Sequence, residues 1–459
     1  MYNLDLDKLK IDETTIVREQ TNLLRKVSIV DGIITSNERV DRNGINARSN
    51  INGKWGMASS STISFKEMEK IIEKSKSNAT TLGSKVREDI KNTYYIKKRF
   101  EKTIPTQIYE DIEQIAVIDL AQRIDCIILK RCNNISSRKV MIYVDCMKKN
   151  IRAGKINVQQ DSIIKRSCVY FEMSIRDSCG IIQTVSDTIA NSKELMFWND
   201  VVDECKEAID KNYKYLLDKK NAINAKRGVF PCILHPKVSG LLVHEAIGHN
   251  VEADIVRKGS FVTTCDRMVA SEKVSITDFA YEAFGKPAGL PLYLDDEGTL
   301  CENVNIVKEG EIVGYLHDIE SSKAFDRDPK GNARAYLAFD EPLIRMRNTA
   351  FLPGKDNLKE MIASIDYGYF LISPAGGQAD TNGELVFYVD MGYIIENGKI
   401  TNAINDTTIS GNAMDMLASI SMVSNDFQWD ISGLCGKMQS MILASGGPYI
   451  KCNLYLGKD

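Results

Sequence analysis

The chain has 459 residues, 43% apolar and 26% charged, with only ten prolines and thirty glycines; this is a globular composition and excludes collagen-like or linker-rich classes. The net charge is −3, yet residues 1–226 hold 39 Lys/Arg against 31 Asp/Glu and the remainder 20 against 31, so the halves carry +8 and −11. That asymmetry predicts two domains, 1–226 and 227–459. The lysines of the basic half are dispersed along helical patterns, with no zinc-finger spacing, so nucleic acid is not an expected partner.

No apolar run approaches the roughly 20 residues that span a bilayer, and no membrane association is expected. The first residues, MYNLDLDKLKIDE, alternate charged and apolar side chains and lack a signal-peptide core. Eleven cysteines, an odd number with no CxxC pair, read as reduced thiols. A soluble cytoplasmic protein is the expectation.

In chain order, residues 1–30 are expected to hold a short helix. VSIVDGIITSNERV has strand character, and Asn52-Gly53 marks a hairpin turn between two short extended runs. Phe65, Met68, Ile71 and Ile72 place a helix over 62–78. Residues 86–99 read as a charged helix or mobile segment. Ile108, Ile112, Ile115 and Ile118 suggest a helix over 107–124. KVMIYVDCMKK, AGKINVQQDS and SCVYFEMSIRDS read as three strands, and Val202, Cys205, Ile209, Tyr213 and Leu216 as a helix over 195–220. The first half is therefore α+β, with meandering strands and grouped helices. Beyond Pro231, short glycine-punctuated runs such as ELVFYVDMGYIIENGKITNAI predict a β-rich barrel or sandwich.

Two of only four histidines fall in S-G-L-L-V-H-E-A-I-G-H-N-V-E-A-D, as His244-Glu245-x-x-x-His249. Ser239 suits a helix N-cap before this run. In HExxH zinc proteases the histidines are four apart and share a helical face. Five apart, they diverge by about 140° on an ideal helix. One metal can then take both only if the helix distorts, and Gly248 is where a break costs least. By spacing alone the residues fit either a metal site or two satisfied histidines beside a surface glutamate. A third ligand would be needed. Cys435, in glycine-flanked I-S-G-L-C-G-K, differs in setting from the other cysteines, though a loop cysteine without a role fits equally.

HEAIGHNVEAD resembles the HExxxH segment of the TldD/PmbA family of zinc metalloproteases, in its TldD-like catalytic branch. RNGINARSNINGKWGMASS, LYLDDEGT, EIVGYLHD, RMRNTAFLPG, GGQAD with GELVFYVDMGYIIENGKI, and SMVSNDFQWDISGLCGK follow in the family's order. The chain has GHNVEAD where the family more usually has GHGLEGD, and the four chemical residues are intact. The resemblance implies a mixed α/β N-terminal domain and a barrel-like C-terminal domain carrying the HExxxH helix. It implies a homodimer, or a heterodimer with a PmbA-like subunit. It assigns His244, His249 and Cys435 as zinc ligands and Glu245 as the catalytic glutamate, acting on a peptide substrate. Asp254 or Glu252 would be the next ligand candidates should Cys435 not serve.

For the peptide, the alternating segment Leu385–Ile395 is expected to be an edge strand that pairs with an extended substrate. Gly376, Gly377, Gln378 and Asp380 of GGQAD would let that peptide approach the backbone. His317 or Tyr315 in GYLHD could serve as a neutral donor to the oxyanion, but a stacked or buried structural role is the stronger expectation for either. The rival expectations are a non-catalytic peptide-binding or assembly subunit and an amidase acting on a small molecule.

Overall fold

The computed structural model describes residues 4–83, 109–154, 160–177, 179–263 and 267–457; the expected charged segment 86–99 and Ile108 lie outside them. The N-terminal half is built on one six-stranded antiparallel sheet. Its strands are β1 (Thr15–Val30), β2 (Ile33–Ile51), β3 (Lys54–Ser60), β4 (Ser137–Ala153), β5 (Gln160–Arg176) and β6 (Ile182–Asn191), in the spatial order β3-β2-β1-β4-β5-β6. The hairpin turn at Asn52-Gly53 is present, with φ of 51° and 75°.

Two expectations need correction. The segment before residue 30 is not helical beyond a 3₁₀ turn at Leu6–Lys8. Residues 15–30 are β1, paired along their whole length with β2 on one side and β4 on the other. The β-branched residues at both its ends, Thr15, Ile16, Val17, Val27, Ile29 and Val30, suit a strand flanked on both edges. Of AGKINVQQDS, Ala153 ends β4 and Gln160 begins β5, while residues 155–159 lie outside the described residues; β6 was not anticipated. The helix expected over 107–124 is α2, Gln114–Arg131, following α1 (Phe65–Gly83). It buries Val117, Leu120, Ile124 and Ile128, while Ile115 is exposed. The isoleucine spacing misplaced the stripe, because the buried positions Val117, Ala121, Ile124 and Ile128 lie on the side of the helix nearly opposite Ile115. Helix α3, Val201–Lys219, buries Cys205, Ile209 and Leu216. α2 and α3 share one core with Val140, Ile142, Phe171 and Met173 of the sheet.

The C-terminal half contains a five-stranded barrel. Its strands β7 (Gly228–Leu234), Ile450–Leu456, Thr407–Asn412, Glu384–Glu396 and Tyr367–Ala379 pair in that order, and the last returns to β7 through Tyr369↔Cys232 to Leu371↔Leu234. A second, six-stranded sheet contains Ile276–Phe279, Val304–Lys308, Asn348–Phe351 and Ala444–Gly447. Helix α4, Pro236–Val243, lies between the two. Val238, Leu242, Ala246 and Ile247 share a core with Leu371, Leu385, Phe387 and Leu454 of the barrel strands and with Ile276 and Ile306 of the second sheet.

The charge asymmetry is spent at the junction of the halves. Arg18 and Lys149 of the basic sheet both pair with Asp296, at 2.6 and 2.7 Å, and Arg48 pairs with Glu297; all five side chains are buried. Burial opposes ionisation of Asp296, but Lys149 and Arg18 outweigh it and hold its carboxyl below the usual range. Asp296→Ala would leave two buried cations without their carboxylate, so a loss of about 3–5 kcal/mol in urea unfolding is expected. A loss under about 1 kcal/mol would mean that the junction bears no load.

Candidate metal centre

Helix α4 starts at Pro236, three residues before Ser239. His235 is its N-cap, its Nδ1 accepting from Lys237 N at 3.3 Å, and Pro236 occupies the first helical position, where its missing N–H is no loss. Ser239 instead lies inside the helix, donating to the carbonyls of Pro236 and Pro448. This anchors α4 to the chain just ahead of the barrel strand Ile450–Leu456.

The helix then widens. His244–Gly248 form a π-helical turn, followed by a 3₁₀ turn at His249–Val251. In a π turn the hydrogen bond spans five residues, so positions five apart come onto one face. The His244 and His249 rings accordingly face each other, with centroids 4.9 Å apart at 74°. Gly248 is not a break, since its φ and ψ of −55° and −52° are helical. Its contribution is the missing Cβ, because a Cβ there would collide with Met346 Sδ.

The third donor arrives from a distant hairpin, Leu434–Lys437 with Gln439–Ile442. Cys435 Sγ lies 3.0 Å from His249 Nε2, and donor atoms of His244, His249 and Cys435 all fall within 4.8 Å of one another. Arg345 fixes the hairpin, donating to the carbonyls of Cys435 and Gln439 at 2.9 Å each. The other nitrogen of His249, Nδ1, faces Glu252 Oε2 at 3.3 Å.

The electrostatics separate the two rings. Burial, with His249 and Arg345 as nearby positive charges, holds His244 neutral, far below its ordinary value. Burial also opposes charge on His249, but hydrogen bonds to Cys435 and Glu252 outweigh it and push the ring up to about 10. A metal taking Nε2 therefore displaces a proton. Burial raises the Glu245 carboxyl, with His249 pulling weakly the other way.

These residues fit a metal. Two imidazoles and a thiol are a donor set for zinc-like ions, and His244 Nδ1 is buried without a hydrogen-bond partner among the described residues. The reserve ligands do not fit. Glu252 sits behind His249, on the nitrogen facing away from Cys435, where a carboxylate orients the ring. Asp254 is tied to Lys437 at 2.8 Å. His317 is buried against Phe325, with Nδ1 3.1 Å from Ser321 Oγ.

The expected edge strand is a second correction. Leu385–Ile395 pairs on one side with Tyr367–Ala379 and on the other with Lys399–Ile404 and Thr407–Asn412, so it has no free edge. Barrel closure used it. Gly376, Gly377 and Gln378 are exposed at the far end of Tyr367–Ala379; Asp380 caps its own turn, accepting from Asn382 N and Glu384 N.

The profile of the PmbA/TldA metallopeptidase C-terminal domain matches residues 227–453, and that of the family's domain 1 matches residues 17–79. The chain belongs to the PmbA/TldD metallopeptidase family. A zinc metalloprotease TldD homolog of Saccharolobus solfataricus is 37% identical over 239 residues, 52% of this chain and 53% of that protein. The chain thus spans about half the length of that relative. A metalloprotease of Methanocaldococcus jannaschii is 27% identical over 465 aligned residues, 98% of this chain and 99% of that one. The fold is that of TldE from Thermococcus kodakarensis, with a TM-score of 0.77 at 16% identity over 97% of both chains.

Substituting His244, His249 or Cys435 by Ala should each sharply lower metal bound per chain in equilibrium dialysis, whereas Glu252→Ala should retain the metal with affinity reduced about 10–100-fold. Gly248→Ala should cost about 1–3 kcal/mol in stability by overpacking against Met346.

Proposed function

We propose that the chain is a zinc-dependent peptidase acting on unfolded or short linear peptides. The observation that carries this reading is Glu245, a buried carboxyl beside His244 in the π turn that leads to His249, between the two histidines of the His244, His249 and Cys435 donor set. A structural metal site has no use for that group. Zinc held by the three donors would supply the Lewis acid that activates water and balances the developing oxyanion. Glu245 would take the attacking water's proton and return it to the leaving amine. Its raised affinity for a proton suits a group that must hold one and then release it.

The peptide would be read by its backbone. Strand Tyr367–Ala379 pairs with β7 only through Leu371, and beyond it that side carries no strand among the described residues. Ala375–Gln378 are exposed there, and Gly376 holds a φ of 110° that suits glycine. The turn that follows abuts the histidine helix, with the Asp380 carbonyl 3.5 Å from Asn250 Nδ2 and the Thr381 carbonyl accepting from Phe261 N. An extended chain added to this edge would run toward the donor set. Gly376, Gly377 and Gln378 thus enter as backbone partners, Asp380 as the turn that shapes them. Ten free cysteines among the described residues suit a reducing cytoplasm. A homodimer, or a heterodimer with a PmbA-like subunit, belongs to the same reading.

Glu245→Gln should keep its zinc and fold while losing hydrolysis by about 10²–10⁴-fold. Undiminished turnover would sink the mechanism and favour a binding or assembly subunit. Proline placed along a good linear substrate should block cleavage at alternate positions, where its missing N–H interrupts strand pairing. Uniform tolerance of proline would remove the edge-strand reading and leave the metal chemistry untouched.

A further inference from the structure

We propose that Lys437 is a positioning residue that latches the Cys435 hairpin onto the histidine helix, so that thiol and imidazoles meet one metal as a preassembled set; this rests on the reading of those residues as metal donors. The hairpin forms a two-stranded sheet that joins no other sheet among the described residues. Its seat is therefore set by side chains. Arg345 holds it by the carbonyls of Cys435 and Gln439, and nothing in that contact reaches the histidines.

Lys437 does reach them. It stands two residues from Cys435 on the same strand, so both side chains leave the same face. Its Nζ lies 2.8 Å from Glu252 Oε2, 2.8 Å from Asp254 Oδ1 and 3.1 Å from the Ile344 carbonyl. Three donors thus meet three acceptors, which is all an ammonium can satisfy. The Glu252 oxygen held by Lys437 is the one that faces His249 Nδ1 at 3.3 Å. One carboxylate oxygen therefore joins the hairpin cation to the ring that lies 3.0 Å from Cys435 Sγ. Cys435, Lys437, Glu252 and His249 close a loop through both ligand-bearing elements.

This is not a solvated surface pair of small effect. Glu252 is 0% exposed and Lys437 only 12%, and Glu252 Oε1 has no hydrogen-bond partner among the described residues. Without the ammonium, a buried carboxylate keeps only His249, and Asp254 loses its tie to the hairpin. The chain reverses immediately after Lys437, at Met438, which is 98% exposed with φ of 59°. The latch is thus the last inward-facing contact before the turn, where an unsupported ribbon would move most.

The test uses the full chain and is read without peptide. Zinc affinity is measured by chelator competition, and thiolate ligation by the sulfur-to-metal charge-transfer band of the cobalt(II)-substituted protein. Lys437→Met keeps the unbranched stem, one atom shorter, without its charge. It should lower zinc affinity about 10–100-fold and weaken the cobalt–thiolate band at stoichiometric metal. Lys437→Arg should recover most of both. At saturating zinc the Met variant should regain activity with KM unchanged. A folded Lys437→Met protein with wild-type affinity and an unaltered band would overturn the proposal. Should that variant not fold, Glu252→Gln carries the test: affinity is expected to fall, and unaltered affinity with an intact band overturns the latch. Where all variants fold, the Lys437→Met/Glu252→Gln pair should lose no more than the worse single change, and additive losses would equally count against a shared latch. Failure to cleave any peptide would refute the proposed function alone, since neither metal readout involves substrate.

Discussion

The whole site depends on one demand: a thiol 186 residues from His249 in sequence must be held 3.0 Å from its ring. Segment Arg345–Met346–Arg347 meets it. Arg345 grips the hairpin carbonyls on one side. Met346 fills the space that Gly248 leaves open in the histidine helix. Arg347 anchors the segment to Asp278 at 2.8 Å, with both side chains fully buried. Three consecutive residues thus set the separation of the two ligand-bearing elements. A dense interior makes such a spacer stiff, because neither a void nor an overlap is cheap.

The N-terminal half belongs to this support. Arg166 on β5 pairs with Asp145 and donates to the carbonyls of Ile431 and Gly433, the residues that lead into the Cys435 hairpin. With Arg18, Lys149 and Arg48 on the acidic run Asp295–Glu297, the basic sheet clasps the C-terminal half through ions that water does not reach. Such pairs add little net stability compared with apolar packing, but breaking one is costly. The opposite net charges of the halves are thus partly interface chemistry.

The five-residue spacing of the histidines also ceases to be an anomaly. A π turn is rare because it is less favourable than the α-helix around it, and here it persists where packing surrounds every residue of the turn. Its result is a pair of facing imidazoles backed by a carboxylate on one nitrogen. The barrel contributes differently, by ending its pairing with β7 at Leu371, so that one edge of Ala375–Gln378 carries no strand among the described residues.

By itself the sequence determined the α+β first half, a β-rich second half that is barrel or sandwich, the Asn52-Gly53 turn, the HExxxH run and the oddness of Cys435. These are local signals: turn chemistry, apolar period and the types of neighbouring residues. It did not determine β1, whose strand form is imposed by two partners, or the phase of α2, whose buried face is chosen by the sheet it covers. Nor could it tell which strand keeps a free edge. Leu385–Ile395 has a strong strand pattern, but an edge is a property of neighbours, and barrel closure supplied two of them. Arg345 and Lys437 were silent for the same reason, and Glu252 was legible only as a reserve ligand. A charged side chain in sequence carries no mark of burial, and only the folded chain decides which charges lose their water and must find one another.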